Sequence, residues 1–151
     1  MITMTAAIVA SMGLNSCTGD TIYSEHHDIN RLGWDKDSVE TFVVAIAERS
    51  TPCDVLVHIR HVENYPYQNL WLFVDTETPS RTYTDTLEVY LADDRGIWLG
   101  NSKNGMIEMP VLLEQNHHLP ADTVVYRIHQ GMREDCLRGV VNVGMTVEVC
   151  K

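Results

Sequence analysis

The sequence predicts an all-β protein: a single antiparallel β-sandwich, jelly-roll-like in outline, behind an N-terminal lipoprotein signal and a short tether. Three observations predict it. Short apolar runs alternate with period two from Val39 onward. Turn-forming residues fall between those runs at short, regular intervals, which is the spacing of a sandwich rather than of strand–helix units. Only residues 132–139 have much claim to a helical turn.

The leader comes first. Leu14-Asn15-Ser16-Cys17 has the form of a bacterial lipobox, with an apolar residue three before the cysteine and a small one immediately before it. A peptidase would then remove residues 1–16 and leave Cys17 as the acylated N-terminus. Acyl chains contribute about 0.8 kcal/mol per buried methylene, and two or more hold a protein stably on a bilayer. Residues 1–16 contain no Lys or Arg, where a secretory signal ordinarily opens with positive charge, so an ordinary thiol in a loose N-terminus stays open. A transmembrane helix does not: residues 6–14 would span about 14 Å against a hydrocarbon core of about 30 Å. Residues 17–33 read as lipidated cysteine and tether, because residues 18–27 are polar and poor in pattern. The β-sandwich domain is expected over residues 34–151.

The strands come in order along the chain. Phe42, Val44 and Ile46 alternate with Val43, Ala45 and Ala47, so both faces of this strand should be buried. Val55, Val57 and Ile59 alternate with His58 and Arg60, which suits one wet face. Leu70, Leu72 and Val74 alternate with Trp71 and Phe73, and Leu87, Val89 and Leu91 with Glu88 and Tyr90. Asn64-Tyr65-Pro66-Tyr67 interrupts one pair, since Pro66 cannot donate to a ladder. Asp93-Asp94-Arg95-Gly96 reads as a tight turn into Ile97-Trp98-Leu99. Pro110 and residues 116–122 punctuate the next stretch of chain, and residues 124–128 and 141–149 close the domain.

Loss of residues 1–16 leaves 135 residues, enough for one domain with a core, and the uncharged leader leaves all of the net charge of −10 on the mature chain. That charge excludes nucleic acid, which is bound largely through Lys and Arg at phosphates, and excludes docking on an anionic leaflet through a basic patch. With Cys17 acylated, Cys53, Cys136 and Cys150 remain, none close enough to another for a zinc half-site; a Cys136–Cys150 bridge is allowed but not required.

Catalytic motifs are absent. There is no Gly-x-Ser-x-Gly elbow, and the stretch from Gly96 to Lys103 has the wrong spacing for a phosphate loop. Asp93/Asp94 and Glu134/Asp135 are better explained as solvated turns than as acid–base pairs. His58 and His61, three apart on a strand, point to opposite faces and cannot chelate together; no metal is expected. Trp71 and Trp98 are expected in the core, with exposed rings for stacking as the alternative. Tyr65-Pro66-Tyr67 offers a rigid contact surface of two rings on a proline-locked turn.

Tyr65-Pro66-Tyr67-x-Asn69-Leu70-Trp71-Leu72 resembles the central signature of the gliding-motility-associated lipoproteins of Bacteroidetes, the GldH family. Asp85-Thr86-Leu87-Glu88, Leu91-Ala92-Asp93, Gly96-x-Trp98-Leu99-Gly100, Gln130-Gly131-Met132-Arg133, Leu137-x-Gly139 and Val143-Gly144 continue the likeness in order. The resemblance runs over about residues 34–149 and includes Cys17. It implies a membrane-anchored, non-enzymatic accessory of the gliding apparatus, linked with type IX secretion, with no cofactor beyond the covalent lipid on Cys17. The expected place is the cell envelope, on the periplasmic side of a membrane, and the expected partners are other gliding or secretion lipoproteins and membrane proteins. Tyr65, Tyr67, Trp98 and Arg133 are the candidate contact residues. A surface glycan-binding lipoprotein is the alternative, and it would need exposed rings lining a groove.

Overall fold

The computed structural model describes residues 20–47, 52–120 and 122–150. These residues form β1 (Thr21–Asp28), β2 (Trp34–Asp35), β3 (Glu40–Ala45), β4 (Cys53–Val62), β5 (Asn69–Glu77), β6 (Thr82–Tyr90), β7 (Asn101–Lys103), β8 (Met106–His117), β9 (Thr123–Gln130), β10 (Cys136–Leu137) and β11 (Val140–Val149). A five-stranded sheet runs β1-β11-β4-β8-β7, a four-stranded sheet runs β3-β9-β5-β6, and β10-β2 makes a short ribbon. Every pairing is antiparallel.

Period-two alternation builds the core. Val55, Val57 and Ile59 of β4 and Val143, Met145 and Val147 of β11 point inward from the larger sheet. Phe42 and Val44 of β3, Leu70, Leu72 and Val74 of β5, and Val124, Tyr126 and Ile128 of β9 point inward from the smaller. Burying each large apolar side chain contributes about 1.5–3 kcal/mol. The all-β sandwich results from this two-sided burial.

Four local expectations change. Residues 21–28, expected as tether, form β1 and pair with β11 from Thr21↔Glu148 to Asp28↔Asn142. The polar composition misled because β1 is an edge strand with most side chains in water; backbone pairing holds it, and His27 stacks on Phe42 at 4.5 Å. The folded unit therefore starts ahead of Trp34. Residues 132–139 form no helical turn; bends lead into β10. The region broken in sequence by Pro110 is the 12-residue strand β8. Proline is tolerated there because β7 pairs β8 only over Met106–Glu108, so the second edge at Pro110 makes no ladder. β3 is buried on one face alone: Val43 is 54% exposed.

The sandwich has two poles. At one, β4, β6 and β9 begin and β3, β5, β8 and β11 end, and the Asp20 carbonyl accepts from Val149 N at 3.0 Å. This is the entry pole of the chain. The far pole carries the connections at residues 63–68, 91–100 and 131–139. Cys136 lies at the far pole, donating to the Leu32 carbonyl, and Cys150 at the entry pole, donating to Asp54, so the bridge between them is not formed.

Candidate functional site

The inward set of β5 forces its alternate residues outward. Asn69, Trp71 and Phe73 stand on the outer face of the four-stranded sheet, opposite Tyr90, Glu88 and Thr86 of β6. Trp71 is 37% exposed and Tyr90 60%. Trp71 is therefore a surface residue, against the expectation that it fills the core.

Beyond β9 the chain folds back over this face. Gly131 N donates to the Trp71 carbonyl at 2.7 Å, and Trp71 N reaches Met132 Sδ at 3.4 Å. A Cβ on Gly131 would lie 2.8 Å from the Phe73 ring, so only glycine lets the backbone rest there. The buried Gln130 side chain braces the segment, donating to the Glu134 carbonyl at 2.8 Å and accepting from Met132 N at 2.7 Å. The result is a groove of about 560 Å³ with Tyr67, Asn69, Trp71, Phe73, Met132 and Arg133 in its lining. A second hollow of about 670 Å³, touched by Pro66, Tyr90 and Leu99, lies across the ridge made by Tyr67 and Asn69.

The polar rim is organised. The Tyr67 hydroxyl donates to the Glu134 carboxylate. Glu88 accepts from Asn69 Nδ2 at 2.7 Å and from the Tyr90 hydroxyl at 3.0 Å. These carboxylates raise the Tyr67 and Tyr90 hydroxyls above the ordinary tyrosine value, so both stay donors at neutral pH. Arg133 is exposed and makes no ion pair among the described residues. An apolar floor with a polar rim and an open cation suits binding. Among the described residues, no group of three His, Cys, Asp or Glu converges on a metal position.

The candidate contact residues separate. Tyr67 and Arg133 meet in the groove. Tyr65 does not; it is 4% exposed, its hydroxyl donates to the Asn69 carbonyl at 3.0 Å, and its ring packs beside His61 and Trp98. Gly139, with φ of +96°, lies so close that a Cβ there would come within 3.0 Å of that ring. Trp98 is half-buried, edge-on to His61 at 4.7 Å, with Nε1 donating to the Glu63 carbonyl. Cys17 lies outside the described residues. Sequence reasoning missed Trp71, Phe73 and Met132 as groove residues. The signal was present on β6, where Thr82, Thr84 and Thr86 mark the wet face that Trp71 and Phe73 share through the register.

The family model described as GldH lipoprotein matches residues 21–147, beginning at the first residue of β1. The gliding motility lipoprotein GldH of Flavobacterium johnsoniae is 30% identical over 151 residues, covering 93% of this chain and 92% of that protein. A gliding motility lipoprotein GldH homolog of Christiangramia forsetii is 27% identical over 144 residues, covering 89% of this chain and 87% of that protein.

Proposed function

Because the chain belongs to the GldH family of gliding-motility lipoproteins, we propose that it is a non-enzymatic, lipid-anchored component of the gliding and type IX secretion apparatus, holding envelope proteins in its far-pole groove. One observation carries this reading: the described chain enters the fold at the pole opposite the groove. Cys17 precedes Asp20 by three residues, and Asp20 is at the entry pole. β4 and β11, which run between the poles, are each ten residues long, about 33 Å. A lipid on Cys17 therefore holds the entry pole at the bilayer and lifts the Tyr67–Trp71 groove clear of it, toward partners in the periplasm. Buried aromatic and Arg anchors dominate many protein interfaces, and Trp71, Tyr67 and Arg133 are of that kind.

The test uses the native host. Trp71→Ala combined with Tyr67→Ala should abolish co-purification of envelope proteins with the tagged chain and impair gliding, while the variant stays in membranes. Retention of the same partners would overturn the groove as the interface. Cys17→Ala run beside it should lose the acyl mass and leave the membrane fraction.

The exposure of Trp71 also favours a second reading, a glycan-binding surface, since sugars stack on open rings flanked by groups such as Asn69 and Glu88. Quenching of Trp71 fluorescence by a soluble polysaccharide, lost in Trp71→Phe, would select it over the protein interface.

A further inference from the structure

At the entry pole, the turn between β5 and β6 and the connection after β8 enclose a cavity of about 620 Å³. We propose that this cavity binds the headgroup phosphate of a phospholipid in the same bilayer that holds the anchor. The inference rests on the anchoring at Cys17 proposed above, and it concerns a different face from the groove.

The chemistry of the lining points to an anion. Arg81 and His118 contribute nitrogen donors and Ser80 a hydroxyl, while the Thr78 hydroxyl donates to the Arg81 carbonyl at 3.0 Å and shapes the turn. In a chain of net charge −10, none of the described lining residues is acidic. The turn is fixed from within: Thr78 N donates to the Arg81 carbonyl at 2.8 Å, and Arg81 N donates to Thr78 Oγ1 at 3.2 Å. The Arg81 guanidinium rests 4.7 Å above the centre of the Tyr83 ring, and the Tyr83 hydroxyl is tied to Glu114 at 2.7 Å. The cation–ring contact holds the guanidinium beside the turn, where its N–H groups meet no carboxylate among the described residues. Arg60, Arg95 and Arg127 each pair with a carboxylate, whereas Arg81 makes no ion pair among the described residues. Glu114 accepts from the Tyr83 hydroxyl through one oxygen and holds the other 3.8 Å from His117 Nε2, so it engages His117 and leaves Arg81 as the cation without a carboxylate. A planar guanidinium fork without a carboxylate partner matches phosphate oxygens.

Position selects the lipid over free phosphate. Val149, which bonds Asp20, faces Cys53 on β4, and Cys53 faces His117 on β8. Three interstrand steps place the cavity about 15 Å along the rim from the point of chain entry. The link from Cys17 to Asp20 spans at most about 11 Å. An acylated Cys17 therefore brings the cavity mouth to the headgroup layer, where tethering makes the local phosphate concentration high.

The test uses full-length protein carrying Cys17→Ala, so that the pocket is read without the anchor and independently of whether Cys17 is acylated. Co-sedimentation is measured with vesicles of phosphatidylethanolamine and phosphatidylcholine, and with vesicles of digalactosyl diacylglycerol, which has no phosphate. Binding is expected to the phospholipid vesicles alone, about tenfold weaker in Arg81→Ala and unchanged in Arg138→Ala at the far pole. Arg81→Gln, which keeps most of the side-chain volume, should repeat the loss and guards against a folding defect. Equal binding to both vesicle types, or binding that ignores Arg81, would overturn the proposal. Amide shifts at Arg81 and His117 on adding inorganic phosphate, without Arg81-dependent vesicle binding, would assign the pocket to free phosphate and overturn the lipid as ligand.

Discussion

Tyr65 and Tyr67 stand two residues apart across one proline and do different work. Tyr65 is a pillar beneath the far pole, and Tyr67 is part of the surface above it. Tyr65→Phe removes a buried hydrogen bond to the Asn69 carbonyl and should cost about 1 kcal/mol. Tyr65→Ala empties the site as well and should cost about 3–5 kcal/mol, visible as a lower midpoint in urea unfolding. If Tyr65→Ala unfolded no more easily than Tyr67→Ala, the pillar assignment would fail. The proline-locked turn was legible in sequence. Which ring turned inward was not, because period-two alternation lapses at a turn and the deciding neighbour, Gly139, is distant along the chain. Arg133 and Tyr67, singled out in the sequence as a cation and a ring, do come together in the lining of one groove. Trp71 was missed because a tryptophan among leucines reads as core until the register with Thr86 and Glu88 is known.

Among the elements, β1 shows how far a polar strand can escape a reading based on hydrophobic pattern. It contributes little to the core, yet it covers the edge of β11 over Asp28↔Asn142 to Thr21↔Glu148. Its ties are specific: His27 bonds Glu40 at 2.8 Å, and Asn142 donates to Asp28 at 2.9 Å. A chain that begins at Asp20 should fold. One that begins at Trp34 exposes the edge of an apolar central strand and should be recovered aggregated or poorly folded. Circular dichroism and gel filtration of the two truncations decide the matter, and a monodisperse, cooperatively melting product from Trp34 would contradict it. The same contrast explains what was legible. β4, β5, β9 and β11 carry the core and announce it by alternation, whereas β1 and β7 are held largely by backbone pairing, and β2 and β10 are too short to alternate though Trp34 and Leu137 are buried.

For the whole molecule, the balance of histidines sets the response to acid. Burial holds His58 and His61 below the usual histidine value. Burial also opposes the charge on His27, but Glu25 and Glu40 together outweigh it and hold His27 above that value. As pH falls through about 6.5, unfolded chains take up protons that folded His58 and His61 refuse, so stability declines. His27 acts in the other direction, its contribution being complete at low pH and lost as pH rises through its folded value. With two groups against one, unfolding midpoints should fall between pH 7.5 and pH 5.5, and His61→Leu should flatten the fall; a midpoint that rose in that range would reverse the assignment. The sandwich class itself was plain in the sequence, but its closure was not: the first strand, Thr21–Asp28, pairs with the last, Val140–Val149. This has a consequence in time. A chain delivered N-terminus first, from a ribosome or through a translocation channel, holds Thr21–Asp28 without its partner until Val140–Val149 has emerged. Completion of the larger sheet waits on the delivery of Val140–Val149, so that strand sets the clock for folding, and a chain without it leaves both β1 and β4 with open edges.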